Sequence, residues 1–221
     1  MTVETLARAE HVRFESNKMM FGRFKRLHFV GIGGAGMSGI AEILLNLGYD
    51  ISGSDNTQSE VTDYLTQLGI AVSHEHAANN VRNADVLVIS SAVDDSNPEV
   101  AEAKRLGIAI IKRAEMLGEL MRLKFSIGVA GTHGKTTTTS MIGKIFQHAD
   151  LHPTLIIGGV VAELGTGAAL GKGDYLIAEA DEYDRSIWAM FPSMAIVLNI
   201  ERDHLDCYDD MDDLRNSFLA Y

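Results

Sequence analysis

Residues 125–137 read Phe-Ser-Ile-Gly-Val-Ala-Gly-Thr-His-Gly-Lys-Thr-Thr, and the reading of this stretch decides the fold. An apolar run that ends in small residues and passes straight into a helix-forming segment is a strand, a tight turn and a helix N-terminus. Such a turn aims several backbone N–H groups and the positive end of the helix at one anionic position. Lys135 adds a mobile charge suited to β- and γ-phosphates, and Thr136 a hydroxyl suited to Mg²⁺. Gly131, Thr132, His133, Gly134, Lys135, Thr136 and Thr137 are therefore the candidate ATP-binding residues. The general pattern G-x-x-x-x-G-K-[ST] is met incompletely, because Val129 stands at its first glycine and the glycines fall at Gly128 and Gly131. The competing reading is a glycine-containing turn with an exposed lysine.

Downstream, apolar runs predict further strands at 154–157, 175–179 and 195–200. The run at 175–179 ends in Glu179-Ala180-Asp181-Glu182-Tyr183-Asp184. Carboxylates at a strand's carboxyl end, beside a phosphate loop on a neighbouring strand, are placed to hold Mg²⁺ on ATP. Consecutive acids are more often a solvated loop, so one or two ligands are expected, with Glu179, nearest the strand, the first choice. The run at 195–200 leads into Glu201-Arg202-Asp203-His204-Leu205-Asp206. A lone histidine is usually a surface or capping residue, but three strand ends in one sheet would bring His204 towards Lys135, Thr136 and Glu179. Lys135, Glu179 and His204 are the candidate catalytic residues; Thr136, Glu179 and His204 are the candidate metal ligands. Cys207 lies close by without the partners of a zinc site.

Upstream, residues 27–32 form an apolar run that ends in Gly31-Ile32-Gly33-Gly34-Ala35-Gly36, and Met37, Ile40, Ala41, Leu44 and Leu45 then stripe one helix face. A strand at 49–53 closes on Ser54-Asp55, and Val61, Leu65 and Leu68 mark the next helix. A buried parallel strand is predicted at 85–90, a loop at 91–97, a helix opening at Pro98 and another strand at 108–111. Alternation of strands and helices implies a doubly wound parallel sheet with ligands at the strands' carboxyl ends. Gly31-x-Gly33-x-x-Gly36 with Asp55 matches the dinucleotide fingerprint and taken alone suggests NAD, yet the same glycines serve a UDP pyrophosphate equally well. A hydride-transfer enzyme has no need of the Lys135 loop, so the two loops together favour one nucleotide-linked substrate and one ATP. A ligand-free tight turn remains an alternative for the glycines, and a cap or turn role for Asp55.

The predicted class is α/β: a Rossmann-like parallel-sheet domain at 21–112, a linking helix at 113–124, and a partial P-loop-type α/β ATPase domain at 125–221. Residues 1–20 are expected to be a polar tail, either a disordered segment or one that lies upstream of a true start near Met20. The chain stops inside a helical pattern at 211–221, which suggests a truncated second domain. With 46% hydrophobic and 22% charged residues, the 221-residue chain is ordinary globular material. A net charge of −11 argues against a nucleic-acid surface, which needs clustered Lys and Arg. One cysteine excludes an intramolecular disulfide and fits a cytoplasmic protein. No apolar stretch approaches a membrane span and no secretory signal is visible, so neither membrane insertion nor export is expected.

Taken in order, His28-Phe29-Val30-Gly31-Ile32-Gly33-Gly34-Ala35-Gly36-Met37-Ser38, Ser90-Ser91-Ala92, Asn97-Pro98-Glu99, Arg113-Ala114-Glu115-Met116-Leu117, the Lys135 loop, Glu179-Ala180-Asp181-Glu182 and Asp203-His204-Leu205-Asp206 resemble the Mur ligase superfamily. The similarity is to its members that join L-alanine to UDP-N-acetylmuramate. The resemblance implies a UDP-sugar site at Gly31, Gly33, Gly34, Ala35, Gly36, Met37, Asp55, His76, Ser90, Ser91 and Ala92, and an ATP and Mg²⁺ site at the Lys135 loop, Glu179 and His204. It also implies activation of the muramoyl carboxylate as an acyl phosphate in peptidoglycan synthesis, in an enzyme completed by a third domain. On that reading the 221 residues alone would ligate little or nothing. The sequence departs from the family pattern at Glu75, where a glycine usually precedes the histidine. It departs again at Gly165-Thr166-Gly167-Ala168-Ala169, where an Asn-Ala pair is usual, and at Ser186-Ile187-Trp188, where Ser-Phe-Leu is typical. Two alternatives stay open: the related ligase that reattaches a recycled peptide to the same UDP-sugar, and a non-catalytic nucleotide-binding module.

Overall fold

A computed structural model of the protein describes residues 24–34, 36–158, 168–202 and 207–221. The expectations for the 1–20 tail, Met20, Ala35, Gly165 to Gly167 and His204 lie outside these residues. Five strands, β1 (Arg26–Val30), β2 (Asp50–Ser54), β3 (Ala71–Ser73), β4 (Val86–Ile89) and β5 (Ala109–Lys112), form a sheet in the order β3-β2-β1-β4-β5. Every pairing in it is parallel. Strand order reverses between β1 and β4, where Val30 lies opposite Ile89. The glycine loop after β1 and the serine turn after β4 thus flank the crevice in which such sheets take ligands.

Local chemistry explains the connections. Helix α1 (Met37–Asn46) starts from Gly36, which sits at φ 76° in the left-handed region that other residues avoid. Helix α2 (Glu60–Gln67) is capped by Ser59, whose hydroxyl accepts from the Thr62 amide. Helix α3 (Pro98–Leu106) has Asn97 as its cap and Pro98 in its first turn, and Gly107 ends it.

Helix α4 (Arg113–Met121) leads to a second sheet of β6 (Phe125–Ala130), β7 (Thr154–Ile156), β8 (Ala168–Ala169), β9 (Tyr175–Glu179) and β10 (Met194–Val197). The order is β10-β6-β9-β7-β8, parallel except for the β7/β8 pair. Helix α5 (Lys135–His148) opens at Gly134, again left-handed at φ 85°, and α6 (Met211–Ala220) is capped by the Asp210 carboxylate. Three details differ from the sequence reading. Neither β3 nor β8 carries an apolar run long enough to announce a strand, and both owe their conformation to pairing with a longer neighbour. The strand expected at 195–200 ends at Val197, because Asn199 turns out of the ladder to hold the loop before Lys135.

The helix read as a linker is interior. Met116, Leu117, Leu120 and Met121 are each 1% exposed or less, in one apolar cluster with Ile40 and Leu44 of α1 and with Ile187 and Met190. Two glycines permit the approach. A Cβ on Gly118 would lie 1.9 Å from the Ala189 carbonyl oxygen, and one on Gly39 2.4 Å from the Ala168 Cβ. Among the described residues no helix is long and apolar enough to cross a membrane.

Candidate functional site

The first site builds on β1, β2 and α3. The amides of Gly31 and Ile32 donate to the Ser54 carbonyl, and the Gly33 amide donates to Asp55 Oδ2 at 2.9 Å. Asp55 also accepts from the Thr57 amide, so its carboxylate braces the loop in the turn role that the sequence left open. Ser90 is half-buried at the mouth of the crevice, and Ser91 and Ala92 are exposed.

Beneath this loop lies a polar network that sequence reasoning missed. Glu99, fully buried, accepts on Oε1 from Asn80 Nδ2 at 2.7 Å and faces His28 Nε2 at 3.3 Å. Its Oε2 accepts from the Ser54 hydroxyl at 2.6 Å and faces His76 Nδ1 at 3.1 Å. His28 Nδ1 is 2.8 Å from the Ser52 hydroxyl. Burial by itself raises the Glu99 carboxyl, but the bonds from His28, Ser54 and Asn80 outweigh it and hold the group below the ordinary glutamate value. With Ser54 donating to Glu99, the His76 proton belongs on Nδ1 and Nε2 lies outside the network. His76, 19% exposed, is thus the end of a buried chain that reaches the surface. The sequence marked His28, His76 and Glu99 separately, through the family resemblance, and nothing in it joined them into one network.

The second site gathers at the carboxyl ends of β6, β9 and β10. Asn199 clamps the Lys135 loop: its carbonyl accepts from the Thr132 amide, its Oδ1 from the His133 amide at 2.9 Å, and its Nδ2 donates back to the His133 carbonyl at 3.0 Å. The Thr132 hydroxyl accepts from the Glu201 amide. First-turn amides of a helix, here those of Lys135, Thr136 and Thr137, have no acceptor within the helix and point at whatever lies before its N-terminus.

Lys135 Nζ donates to the Gly131 carbonyl at 2.6 Å and to the Glu182 carboxylate at 2.9 and 3.1 Å. Glu182 is 1% exposed. In the acidic run this is the residue turned inward, fixed further by the Tyr208 hydroxyl donating to its carbonyl. Which of several consecutive acids would pair with the lysine was not legible, since a run of acids carries no period.

Glu179 behaves differently. Its Oε1 is buried without a hydrogen-bond partner. Burial, with the Asp181 charge, raises its carboxyl above the ordinary value and outweighs the opposite pull of the Thr136 hydroxyl, the Gly158 amide and the Lys135 charge. A buried carboxylate oxygen with nothing to accept from, beside a phosphate loop and a threonine hydroxyl, fits a hard divalent cation. Among the described residues no cluster of three His, Cys, Asp or Glu side chains forms.

A cleft of about 210 Å³ joins the two sites. It is lined by Gly36 from the first loop, Lys135 and Thr136 from the second, Gly158, Glu179 and Asp181 from the second sheet, and Arg113 and Leu117 from α4. Both glycine loops therefore open onto one space.

Residues 26–125 match the description "Mur ligase family, catalytic domain", and residues 129–220 match "Mur ligase middle domain". The chain belongs to the Mur ligase family. Among Mur ligases, the UDP-N-acetylmuramate–L-alanine ligase of Pelobacter propionicus is 54% identical over 203 residues, covering 91% of this chain and 44% of that protein. The crystal structure of UDP-N-acetylmuramate–alanine ligase from Thermotoga maritima superimposes with a TM-score of 0.82 at 33% identity, covering 88% of this chain and 46% of that one. The UDP-N-acetylmuramate:L-alanyl-γ-D-glutamyl-meso-diaminopimelate ligase of Neisseria meningitides gives a TM-score of 0.80 at 32% identity, covering 88% and 66%. The chain spans less than half the length of the curated Mur ligases it matches.

Proposed function

We propose that this chain carries the UDP-sugar and ATP sites of a ligase that joins L-alanine to the carboxylate of UDP-N-acetylmuramate. The observation that carries the proposal is the shared cleft, in which Gly36 of one loop and Lys135, Thr136 and Glu179 of the other face the same volume. A dehydrogenase needs no such convergence. A ligase does, because the acid of one nucleotide-linked substrate must meet the γ-phosphoryl group of another. Curated relatives at 54–55% identity are L-alanine ligases, which favours the amino acid over the recycled peptide as the joined group.

In this reading the glycine loop, Met37, the Ser90-Ser91-Ala92 turn and His76 hold the UDP-sugar, with Asp55 bracing the loop. The Lys135 loop holds ATP. Thr136 and Glu179 hold Mg²⁺, with His204 as the further ligand the family resemblance implies. When bound, the cation neutralises charge on the phosphate oxygens and strengthens the γ-phosphorus as an electrophile. The substrate carboxylate attacks the γ-phosphoryl group to give an acyl phosphate and ADP, and the L-alanine amine then displaces phosphate. Catalysis is positioning and electrostatic clamping, with no covalent enzyme intermediate. Lys135 moves from Glu182 to the phosphates, its charge already aimed at the cleft.

Calorimetric titration of the chain with UDP-N-acetylmuramate, Mg-ATP and NADH tests this. Saturable binding of the UDP-sugar and of Mg-ATP, with no response to NADH, is expected. NADH binding in the absence of UDP-sugar binding would overturn the reading in favour of a redox or purely binding protein.

A further inference from the structure

We infer that Arg113 is the binding residue for the acid group of the sugar nucleotide, holding its carboxylate at the point where the two loops meet. This rests on the function proposed above and adds a substrate contact to it.

Arg113 opens α4 and lines the cleft between the loops. A Cβ placed on Gly36 would lie 3.2 Å from its Nη1, so the guanidinium sits directly against the end of the first glycine loop. The same side chain shares the cleft with Lys135, Thr136 and Glu179. Among the described residues, no other side chain on the cleft wall combines a positive charge with contact to the first loop.

What distinguishes Arg113 is the absence of a partner. Among the described residues no carboxylate, carbonyl or hydroxyl accepts from it, whereas Arg26, Arg105 and Arg185 are each committed to an aspartate or glutamate. The nearest acid of its own helix, Glu115, is used by the helix start, where its Oε2 accepts from the Lys112 amide at 2.8 Å. The other cation of the cleft, Lys135, is neutralised by Glu182 at 2.9 Å. The acids that face the cleft, Glu179 and Asp181, stand on the second sheet beside Thr136, where the cation is placed. An unpaired guanidinium facing a cleft that receives two nucleotides is a site for an anion. Its planar fork matches a carboxylate through two parallel hydrogen bonds.

The diphosphate is the competing occupant, and the geometry points to the acid instead. A diphosphate seated at the α1 N-terminus already has the first-turn amides of that helix as donors. Among the described residues, the cleft lining beyond Gly36 and α4 comes from α5 and from the strands and strand ends of the second sheet, on the side from which the γ-phosphoryl group would arrive. The atom that crosses this gap is a carboxylate oxygen.

The test compares UDP-N-acetylmuramate with UDP-N-acetylglucosamine, which shares the uridine diphosphate and the N-acetyl sugar but lacks the lactyl carboxylate. Calorimetry on the unaltered chain is expected to show a preference of about ten- to hundredfold for the acid-bearing ligand, the range of a charge-assisted bidentate contact. In Arg113→Ala that preference should vanish through weaker binding of UDP-N-acetylmuramate alone. Arg113→Lys should retain a small part of it, and the thermal midpoints of both variants should match the parent. If both ligands weaken equally, the guanidinium holds the shared diphosphate and the inference is wrong. Persistence of the preference in Arg113→Ala would overturn it too. Failure of the unaltered chain to bind either sugar nucleotide would instead refute the proposed function on which it rests.

Discussion

Glu99 and Glu179 are both carboxylates drawn out of water at the ligand end of a parallel sheet, yet their surroundings are opposite. Glu99 has four partners for its two oxygens, and its carboxyl is held below the ordinary value. Glu179 keeps one oxygen buried and bare, and its carboxyl is raised. Buried polar groups without partners are costly, so a bare one persists where something outside the chain completes it. The contrast separates a carboxylate that builds a site from one that serves it.

The sharpest way to break this comparison is Glu99→Ala. It leaves the buried Ser54 hydroxyl and the half-buried Asn80 amide without their acceptor beside two histidines, and a loss of about 3–5 kcal/mol in urea unfolding is expected, as when one partner of a buried charged network is removed. A loss under about 1 kcal/mol would mean that the network is ornamental. Lys135→Ala should come next: Mg-ATP affinity is expected to fall by at least about a hundredfold, roughly 2.7 kcal/mol, in calorimetry. Near-parental affinity would dismiss the loop as an ATP site. Glu179→Gln is expected to leave stability within about 0.5 kcal/mol of the parent while weakening Mg-ATP about tenfold. Equal weakening of ATP without Mg²⁺ would remove Glu179 from the metal site.

The smallest effect is in the pH dependence, where the two groups carry opposite signs. The lowered Glu99 stabilises the fold above the ordinary carboxylate range, and that contribution disappears as pH falls through its folded value. The raised Glu179 favours the fold at low pH, and its contribution is lost as pH rises through its folded value. Thermal midpoints recorded from pH 3.5 to 7 should therefore fall less steeply on acidification in Glu99→Gln than in the parent, and more steeply in Glu179→Gln. Superimposable curves would show that neither carboxyl is perturbed as described.

Much of this was legible in the chain. The two glycine loops follow long apolar strands and precede amphipathic helices, and that contrast of periods survives in sequence. Glu179 was placed correctly at the end of β9 because it abuts an apolar run. Glu182, three positions later, was not singled out, since inward turning after a strand depends on contacts with Lys135 and Tyr208 that no local pattern encodes. Strand β3, at Ala71–Ser73, is too short and too polar to declare itself. The Glu99 network joins positions from residue 28 to residue 99, and only the fold brings them together. Arg113 stood in a quoted motif, but its meaning lies in what fails to pair with it.

Helix α4 gives these two halves a common fate. Because Met116, Leu117, Leu120 and Met121 pack into one core that also holds Leu44 and Met190, melting either sheet strips that helix of its cover. The amide protons of α4 should therefore exchange with deuterated solvent only through opening of the whole unit, at the slowest rate in the molecule. The halves that carry the two glycine loops would then unfold in a single calorimetric transition.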